Sequence, residues 1–385
     1  MSLFGSKQAS AEVENIKVLP PLPQKTRSPL SPEDPDTDVH LIICIAGMGA
    51  RKGHFLSDSL LSQFGKWFDI NKCQSAMRDT MQTAIQNYGT EQIKKKPPKI
   101  VVKSIDYCSV VREEGGYNDK LGRVSMKSGA ALLRMIANES MIDVLMYNSE
   151  KIKKQILSES VKQINDIFEE MEGIPLKSIS LVGHSLGSVV AFDLLHQNQE
   201  SGKTLLKMQP NFCFLVGSPL GLFLTMDFQT EKKQMESFNY VNPATGKRQL
   251  LKEVPIFHLY HPYDPVAYRL DPHLDPAFSN YDPFELEFFV RRSKGSSLPV
   301  VQITNAFNSV LTTLGVNKKP DENYKRLVRL YEIVDHALPV MSEVVVNEYL
   351  NAGDVHLKYW SNTEVNCFIL EKIGVLKVEK QKQSA

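Results

Sequence analysis

The sequence has few cysteines, and none is spaced for a disulfide framework or a zinc site. Its 385 residues include five, an odd number without a C-x-x-C pair: Cys44, Cys73, Cys108, Cys213 and Cys367. Two of them, Cys44 and Cys213, stand inside apolar runs, where a free thiol packs as a small hydrophobic group. This cysteine usage is typical of a protein from a reducing compartment.

Long hydrophobic runs and an excess of charge of either sign are also lacking. No stretch approaches the roughly 18 apolar residues that a membrane-spanning helix requires. Lys and Arg number 45 against 44 Asp and Glu, a formal net charge of +1, so bulk attraction to nucleic acid or acidic lipid is excluded. Residues 1–35 are too polar for a secretory signal. We therefore expect a cytosolic protein that binds no nucleic acid and touches membranes only from outside.

The chain divides into three parts by composition. Residues 1–37 carry several prolines among serines and charges without periodicity, which predicts a disordered N-terminal lead. We expect residues 38–375 to form one folded domain. The whole sequence is 42% hydrophobic and 23% charged, which is the composition of an ordinary globular protein. A polar insertion covers roughly residues 227–253, and residues 376–385 predict a charged, flexible tail.

Apolar runs alternate with segments of helical periodicity. The runs at residues 40–45, 100–105, 176–182, 212–216 and 255–260 predict strands of a buried parallel sheet. Residues 141–171 place apolar side chains at helical spacing. The alternation of strand and helix predicts an α/β fold, with a mostly parallel sheet and helices on both faces.

The most informative motif is Gly183-His184-Ser185-Leu186-Gly187, which follows a β-rich run and precedes a helical pattern. It matches the G-x-S-x-G nucleophile elbow, in which a strand turns sharply through a serine into a helix. Glycine is needed on both sides because a larger side chain would collide with the neighbouring strand or helix. The alternative is an ordinary strand–glycine–helix junction.

An elbow serine requires a histidine to take its proton and an acid to fix the tautomer of that histidine. In α/β hydrolases, both follow the serine along the chain, the acid first. His258 lies inside a strand run and is interpreted as a core residue. The histidines that remain as candidate bases are His261, His273, His336 and His356.

Asp264 is the clearer candidate for the acid. It stands just beyond the strand at residues 255–260, where sheet-based active sites lie, and Pro262 and Pro265 stiffen its loop. The alternative is that Asp264 only caps a turn before proline. Asp271 is then the reserve, that is, the second candidate for the acid. His356 precedes the apolar run 365–370, a position that suits the last loop of such a domain, although a late histidine is often structural.

An oxyanion hole requires two backbone N–H donors. We expect one of them to be the N–H of Leu186, the residue after the candidate nucleophile. We expect the other to be the N–H of Met48, in the turn after the first strand. Gly47 and Gly49 let the backbone of this turn approach a tetrahedral intermediate. A phosphate-binding loop is the alternative, but neither Gly-Lys-Ser/Thr nor the G-x-G-x-x-G spacing is present.

Taken together, these segments resemble the intracellular phospholipase A1 family, whose catalytic region carries a DDHD domain. The matching stretches are residues 40–49, 141–147, the elbow with 188–193, 217–224, 261–270 and 359–361, with His356 three residues before Tyr359. They run in family order over residues 38–375, and the resemblance implies a DDHD region at about 208–375. One departure is Ala46, where many relatives have histidine.

The resemblance implies an α/β-hydrolase-like fold and a serine esterase with the triad Ser185, Asp264 and His356. It implies release of a fatty acid from glycerophospholipids at the cytosolic face of ER/Golgi-type membranes, with peripheral membrane contact. The four polar residues of the family have been linked to a metal. Here Asp264 and His356 are present, the intermediate aspartate has no clear counterpart in residues 329–332, and Glu364 replaces the last. This incomplete set weakens the case for a metal, and the triad requires no cofactor.

Three questions stay open at this level. A non-catalytic trafficking scaffold with the same fold is one alternative function, and a neutral glyceride lipase or transacylase with the same triad is another. Residues 55–68 are either an amphipathic lid or a helix packed on the sheet. Head-group preference, positional specificity and oligomeric state are not encoded in any pattern that we recognise.

Overall fold

The structure, a computed structural model, describes residues 38–50, 69–109, 112, 116–124, 141–200, 204–227, 240–286, 321–339 and 355–377. The predicted lead at residues 1–37 and the lid candidate at 55–68 lie outside the described residues, as does most of the tail. Within the described ranges, no helix combines the length and apolarity needed to cross a bilayer.

A single large sheet organises the described part of the chain. Its strands and those of a small hairpin are, in chain order, β1 (Val39–Ile45), β2 (Lys99–Ile105), β3 (Leu176–His184), β4 (Phe212–Val216), β5 (Tyr240–Val241), β6 (Arg248–Gln249), β7 (Ile256–Tyr260), β8 (Phe284–Glu285) and β9 (Asp335–Ala337). The main sheet has the order β2-β1-β3-β4-β7-β9-β8, and every pair in it is parallel. The antiparallel hairpin β5–β6 lies in the predicted polar insertion.

Helices connect the strands. In the described ranges they are α1 (Ile70–Tyr88), α2 (Glu91–Lys95), α3 (Tyr117–Val124), α4 (Met141–Tyr147), α5 (Glu150–Glu170), α6 (Leu186–Glu200), α7 (Leu220–Asp227), α8 (Asp271–Leu274), α9 (Glu322–Leu330) and α10 (Thr363–Lys372). The helical periodicity of residues 141–171 thus forms two helices, because Ser149 adopts extended backbone angles at the N-cap of α5. A residue in that conformation ends one helix and begins the next.

Helices cover both faces of the sheet, as predicted. All seven residues of β1 are buried, and alternate side chains point to opposite sides of a strand. Leu41 and Ile43 pack with residues of α5 and α6 on one face, whereas Ile42 and Cys44 pack with residues of α1 and α10 on the other. Full burial of each leucine or isoleucine side chain stabilises the folded state by about 1.5–3 kcal/mol. The α/β-hydrolase-like fold expected from the sequence is confirmed.

Candidate active site

The nucleophile elbow lies where β3 passes into α6, at the carboxyl end of the central strand. Ser185 has φ 52°, which makes it the only non-glycine residue with positive φ in the described part of the chain. That conformation is uncommon for a residue with a side chain and is concentrated at functional sites. The residue is buried, with 1% of its surface exposed.

Two glycines make this turn sterically feasible. A Cβ on Gly183 would lie 2.5 Å from Cα of Ser188. A Cβ on Gly187 would lie 2.1 Å from the carbonyl oxygen of Ile45, at the end of β1. Real Cβ atoms do not approach backbone so closely, so glycine is required at both positions for the strand, the turn and the helix to pack together.

The candidate acid and base contact each other. Nδ1 of His356 lies 2.9 Å and 3.0 Å from the two carboxylate oxygens of Asp264. The carboxylate also accepts from the Tyr359 hydroxyl at 2.7 Å and from the N–H of Val266 at 2.9 Å. Because Nδ1 donates to the carboxylate, Nε2 is the ring nitrogen of His356 that can take a proton from a nucleophile.

The environment of Asp264 favours its ionised form. Burial raises the pKa of Asp264, but the hydrogen bond and the charge of His356, with the bonds from Tyr359 and Val266, outweigh burial and lower the pKa below its ordinary value. A carboxylate that accepts several hydrogen bonds is stabilised in this way. Asp264 is therefore suited to hold an imidazolium in place and to fix its tautomer.

A tyrosine and a glycine hold the acid in position. The Tyr359 hydroxyl donates to Asp264 and also accepts from the N–H of His261 at 3.0 Å. It therefore joins the loop that carries Asp264 to the segment that carries His356 and Tyr359. Gly217, directly after β4, has φ 55°, and a Cβ there would lie 2.6 Å from Oδ2 of Asp264 and 2.5 Å from the Tyr359 ring. Sequence reasoning gave neither residue a role beyond the family resemblance.

The backbone of the base is tied to the elbow through His184. Nε2 of His184 lies 2.7 Å from the carbonyl oxygen of His356, and the two rings are 4.8 Å apart. Burial and the neighbouring His356 lower the pKa of His184 to about 3, so His184 is neutral and donates from Nε2. His184 precedes the serine, so the chain order excludes it as a base, and its contact with His356 cannot be read from the motif.

The Ser185 hydroxyl makes no hydrogen bond within the described residues. The acid and base are thus paired beside the elbow, whereas the serine–histidine bond is not formed. In unliganded structures, such bonds are often long and tighten only when substrate binds.

The two predicted oxyanion donors lie beside Ser185. Leu186 is the first residue of α6, so its N–H has no carbonyl four residues earlier within the helix. A Cβ on Gly47 would lie 2.8 Å from Cβ of Ser185, which places the turn after β1 against the elbow. The N–H of Ala50 donates to the carbonyl of Gly47 at 3.3 Å, and Gly49 has φ 75°. These are features of a type II turn with Met48 at its first corner.

A buried ion pair contacts the same turn and was not anticipated from the sequence. The N–H of Gly49 donates to Oδ2 of Asp143 at 2.6 Å, and Nε of Arg112 lies 2.6 Å from Oδ1. The side chains are 1% and 5% exposed for Arg112 and Asp143, respectively.

The remaining candidates are engaged elsewhere. Nδ1 of His258 lies 2.9 Å from the buried carboxylate of Asp335 inside the sheet, in line with its interpretation as a core residue. The ring nitrogens of His273 and His336 contact the carbonyls of Gly221 and Val334, and Nδ1 of His261 accepts from the N–H of Tyr263.

The reserve acid Asp271 lies beside Asp335 in the core rather than against a candidate base. Its carboxylate accepts from the N–H of Val334 at 2.8 Å, and Asp335 in return accepts from the N–H of Asp271. Burial and the charge of Asp335 raise the pKa of Asp271 well above its usual value. Sequence reasoning missed Asp335, although an aspartate inside the apolar run of residues 333–338 was a signal that could have identified a buried carboxylate.

The donors linked to a metal do not fit one. Both oxygens of Asp264 and Nδ1 of His356 are engaged with each other and with Tyr359. Within the described ranges, no group of three or more His, Cys, Asp or Glu side chains is arranged to hold an ion.

Comparison with known proteins finds similarity to one family of phospholipases. Residues 206–319 match the family model of the DDHD domain. The chain is 27% identical over 295 residues to "Probable phospholipase YOR022C, mitochondrial" of Saccharomyces cerevisiae, covering 70% of this chain and 40% of that protein. It is 25% identical over 304 residues to "Intracellular phospholipase A1" of Caenorhabditis elegans, covering 64% and 32%. The chain is thus similar to phospholipases of the DDHD-domain family, and the match to the domain model covers residues 206–319.

The resemblance expected from the motifs is thereby confirmed. A further DDHD-domain relative, "Phospholipase DDHD1" of Homo sapiens, is 22% identical over 222 residues, covering 41% of this chain and 23% of that protein. The chain spans 40% or less of the length of these three relatives. The match to the DDHD model includes Asp264 and begins after Ser185. The predicted boundary at residue 375 stays a prediction.

Among solved structures, the DDHD-domain chain is similar to "Siderophore hydrolase EstB from Aspergillus nidulans", at 12% identity and a TM-score of 0.29, covering 86% of this chain and 83% of that one. The strand order and the nucleophile elbow define the fold of this chain.

Proposed function

We propose that this protein is a phospholipase of the A1 type, which hydrolyses the sn-1 acyl ester of a glycerophospholipid. The observation that carries the proposal is the pairing of His356 with Asp264 at 2.9 Å beside a serine held at φ 52°. Nucleophile, acid and base follow one another along the chain as Ser185, Asp264 and His356, which is the order found in α/β hydrolases. The relatives named as phospholipases support lipid ester hydrolysis in general.

The proposed reaction proceeds through an acyl-enzyme. Nε2 of His356 takes the proton of Ser185 as Oγ attacks the ester carbonyl, and Asp264 stabilises the imidazolium that forms. The N–H groups of Met48 and Leu186 bind the oxyanion. His356 then protonates the departing glycerol oxygen, so that the lysophospholipid leaves. A water molecule, deprotonated by His356, hydrolyses the acyl-enzyme and releases the fatty acid with the proton returned to Ser185.

The proposal also specifies which ester bond is cleaved and at which membrane the enzyme acts. Cleavage at sn-1 is drawn from the relative named "Intracellular phospholipase A1". Peripheral contact with a membrane surface follows from the nature of the substrate. We keep the cytosolic face of ER/Golgi-type membranes as the proposed place of action, although the relative of Saccharomyces cerevisiae is named as mitochondrial.

The test is product analysis by mass spectrometry with a phosphatidylcholine that carries different acyl chains at sn-1 and sn-2. We expect release of the sn-1 fatty acid and accumulation of the 2-acyl lysophospholipid. Ser185→Ala should abolish this, since losing a triad member costs about 10⁴-fold or more in kcat. Ser160→Ala is the matched control, because Ser160 is a buried serine whose hydroxyl donates within α5 to the carbonyl of Ile156.

The same assay separates the alternatives. Hydrolysis retained by folded Ser185→Ala would contradict the triad. A panel that includes diacylglycerol and triacylglycerol distinguishes a neutral glyceride lipase, and added lysophospholipid acceptor distinguishes a transacylase. A fluorophosphonate probe that fails to label Ser185 would favour the non-catalytic scaffold, because labelling requires an activated serine.

A further inference from the structure

The turn that carries Met48 is attached to a distant part of the chain. We define the oxyanion turn as residues 46–50. Its Gly49 N–H donates at 2.6 Å to Oδ2 of Asp143, which is 94 residues away and lies in α4. The Sγ of Cys108 also lies 3.5 Å from the same oxygen. Asp143, a residue of α4, therefore contacts both the turn after β1 and the segment after β2 at one buried point.

The acid that accepts this bond is itself paired. Nε of Arg112 lies 2.6 Å from Oδ1 of Asp143, so the two carboxylate oxygens have different tasks, one toward Arg112 and one toward Gly49. Both side chains are almost fully buried. A buried ion pair is costly to desolvate and is often replaceable by apolar side chains without loss of stability. Overall stability alone therefore does not explain its presence here.

The position of the pair does explain it. A short charge-assisted hydrogen bond to Gly49 fixes the peptide group between Met48 and Gly49. Because the Met48 N–H belongs to the peptide group immediately before, its direction is set by the same turn. A lone carboxylate beside the oxyanion turn would repel the negative charge that develops in the transition state. Arg112 cancels that charge while leaving Oδ2 free to accept from Gly49.

We infer that Asp143 is a positioning residue that aims the Met48 N–H at the reacting ester, and that Arg112 neutralises the carboxylate so that it does not oppose the oxyanion. This inference deepens the proposed function and rests on it. Asp143 acts through the backbone of Gly49 and is not in contact with substrate in this scheme. The expected signature is a change in kcat, with little change in KM on a small substrate.

The test uses the full chain and a water-soluble nitrophenyl ester, with active sites counted by fluorophosphonate titration. We expect Asp143→Ala to lower kcat per active site about 10- to 100-fold, somewhat less than the loss of a whole oxyanion donor, with KM changed less than about twofold. Asp143→Asn retains an oxygen that accepts from Gly49 and should recover most of kcat. Ile156→Ala, a core substitution in α5, is the control for reduced stability and should keep kcat per active site.

A charge-compensation pair gives a second readout if Asp143→Ala does not fold. Arg112→Gln leaves a carboxylate without its guanidinium beside the oxyanion turn, and we expect kcat to fall about tenfold or more. Adding Asp143→Asn removes the second charge with almost no change in the volume of that side chain, so the double variant should recover to within about fivefold of the parent. A purely structural role predicts that stability changes in these variants while kcat per active site stays at the parental value in both.

Three outcomes are decisive. If hydrolysis by the parent protein does not depend on Ser185, the proposed function fails and this inference with it. If hydrolysis depends on Ser185 but Asp143→Ala keeps the parental kcat, or the double variant shows no recovery, the inference alone is overturned. A kcat loss in Asp143→Ala with recovery in Asp143→Asn and in the double variant supports it.

Discussion

The imidazole of His184 donates from Nε2 to the carbonyl oxygen of His356, across a sequence separation of 172 residues. The residue that precedes the candidate nucleophile therefore holds the backbone of the residue proposed as its base. Since Asp264 holds the imidazole of His356 at Nδ1, one residue is fixed at two points. The distance between Ser185 and Nε2 of His356 depends on both.

Loss of the His184 donor should therefore lower activity. In His184→Phe, the ring packing against Tyr359 and Trp360 is largely retained while the bond to His356 is lost. We expect kcat for a soluble ester to fall about 10- to 100-fold, a loss typical of misplaced catalytic groups. His184→Gln, whose amide can still donate, should fall less.

His196→Phe provides the control for His184. His196 lies in the same helix–elbow segment but stacks on Phe192 away from the base, so its replacement should leave kcat unchanged. Equal kcat in His184→Phe and the parent protein would show that the contact with His356 is not needed.

The Tyr359 hydroxyl is expected to contribute both to stability and to the acid. Tyr359→Phe removes the bond to Asp264 and leaves the N–H of His261 without its acceptor. Loss of a buried hydrogen bond costs about 1–3 kcal/mol when a partner remains unsatisfied. We expect a lower denaturant midpoint and a several-fold lower kcat/KM. Tyr331→Phe, a substitution of a buried tyrosine remote from the acid, should leave kcat/KM at the parental value.

A pair of glycine substitutions separates backbone strain from disruption of the acid. Gly217 and Gly173 both have positive φ, but a Cβ on Gly217 meets Asp264 and Tyr359, whereas a Cβ on Gly173 meets nothing within 4 Å. Alanine at either position costs roughly 1–2 kcal/mol in left-handed backbone. We expect Gly217→Ala to lose most hydrolysis and Gly173→Ala to keep it, measured per folded molecule. Similar activities in the two variants would contradict the proposed packing of the acid.

Stability should fall as pH is lowered from about 6.5 to about 4, in part because of His336. Burial, with a smaller contribution from the charge of Lys372, lowers the pKa of His336 to about 4, whereas the unfolded chain titrates near 6.5. Between these values, the unfolded state binds more protons than the folded state, so the free energy of unfolding decreases as pH falls. The full shift corresponds to roughly 3 kcal/mol.

His336→Leu should flatten this part of the profile, as measured by urea unfolding at pH 7, 5.5 and 4.5. The ring of His336 lies among Phe257, Phe284 and Phe368, so an apolar side chain suits the site. The difference in unfolding free energy between pH 7 and pH 4.5 should be smaller in the variant than in the parent protein. An identical pH dependence would show that His336 does not contribute.

Much of the fold could be predicted because the signals are local. The run of residues 40–45 is apolar throughout, and a strand buried on both faces has that pattern. The elbow is likewise encoded within a few residues, since Gly183 and Gly187 are required by atoms of the turn, its helix and the adjacent strand. The break at Ser149 was missed because the periodicity of apolar residues continues on both sides of it.

The sequence by itself determined the elbow, the parallel sheet and the position of Asp264 at a strand end, since each depends on side chains close in the chain. Only the tertiary structure decided that Asp264 pairs with His356, that His184 holds that base, and that Arg112 and Asp143 support the oxyanion turn. These contacts span between 31 and 172 residues. A polar side chain that will be buried against a distant partner has the same local pattern as one that stays in water, so no periodicity could reveal them.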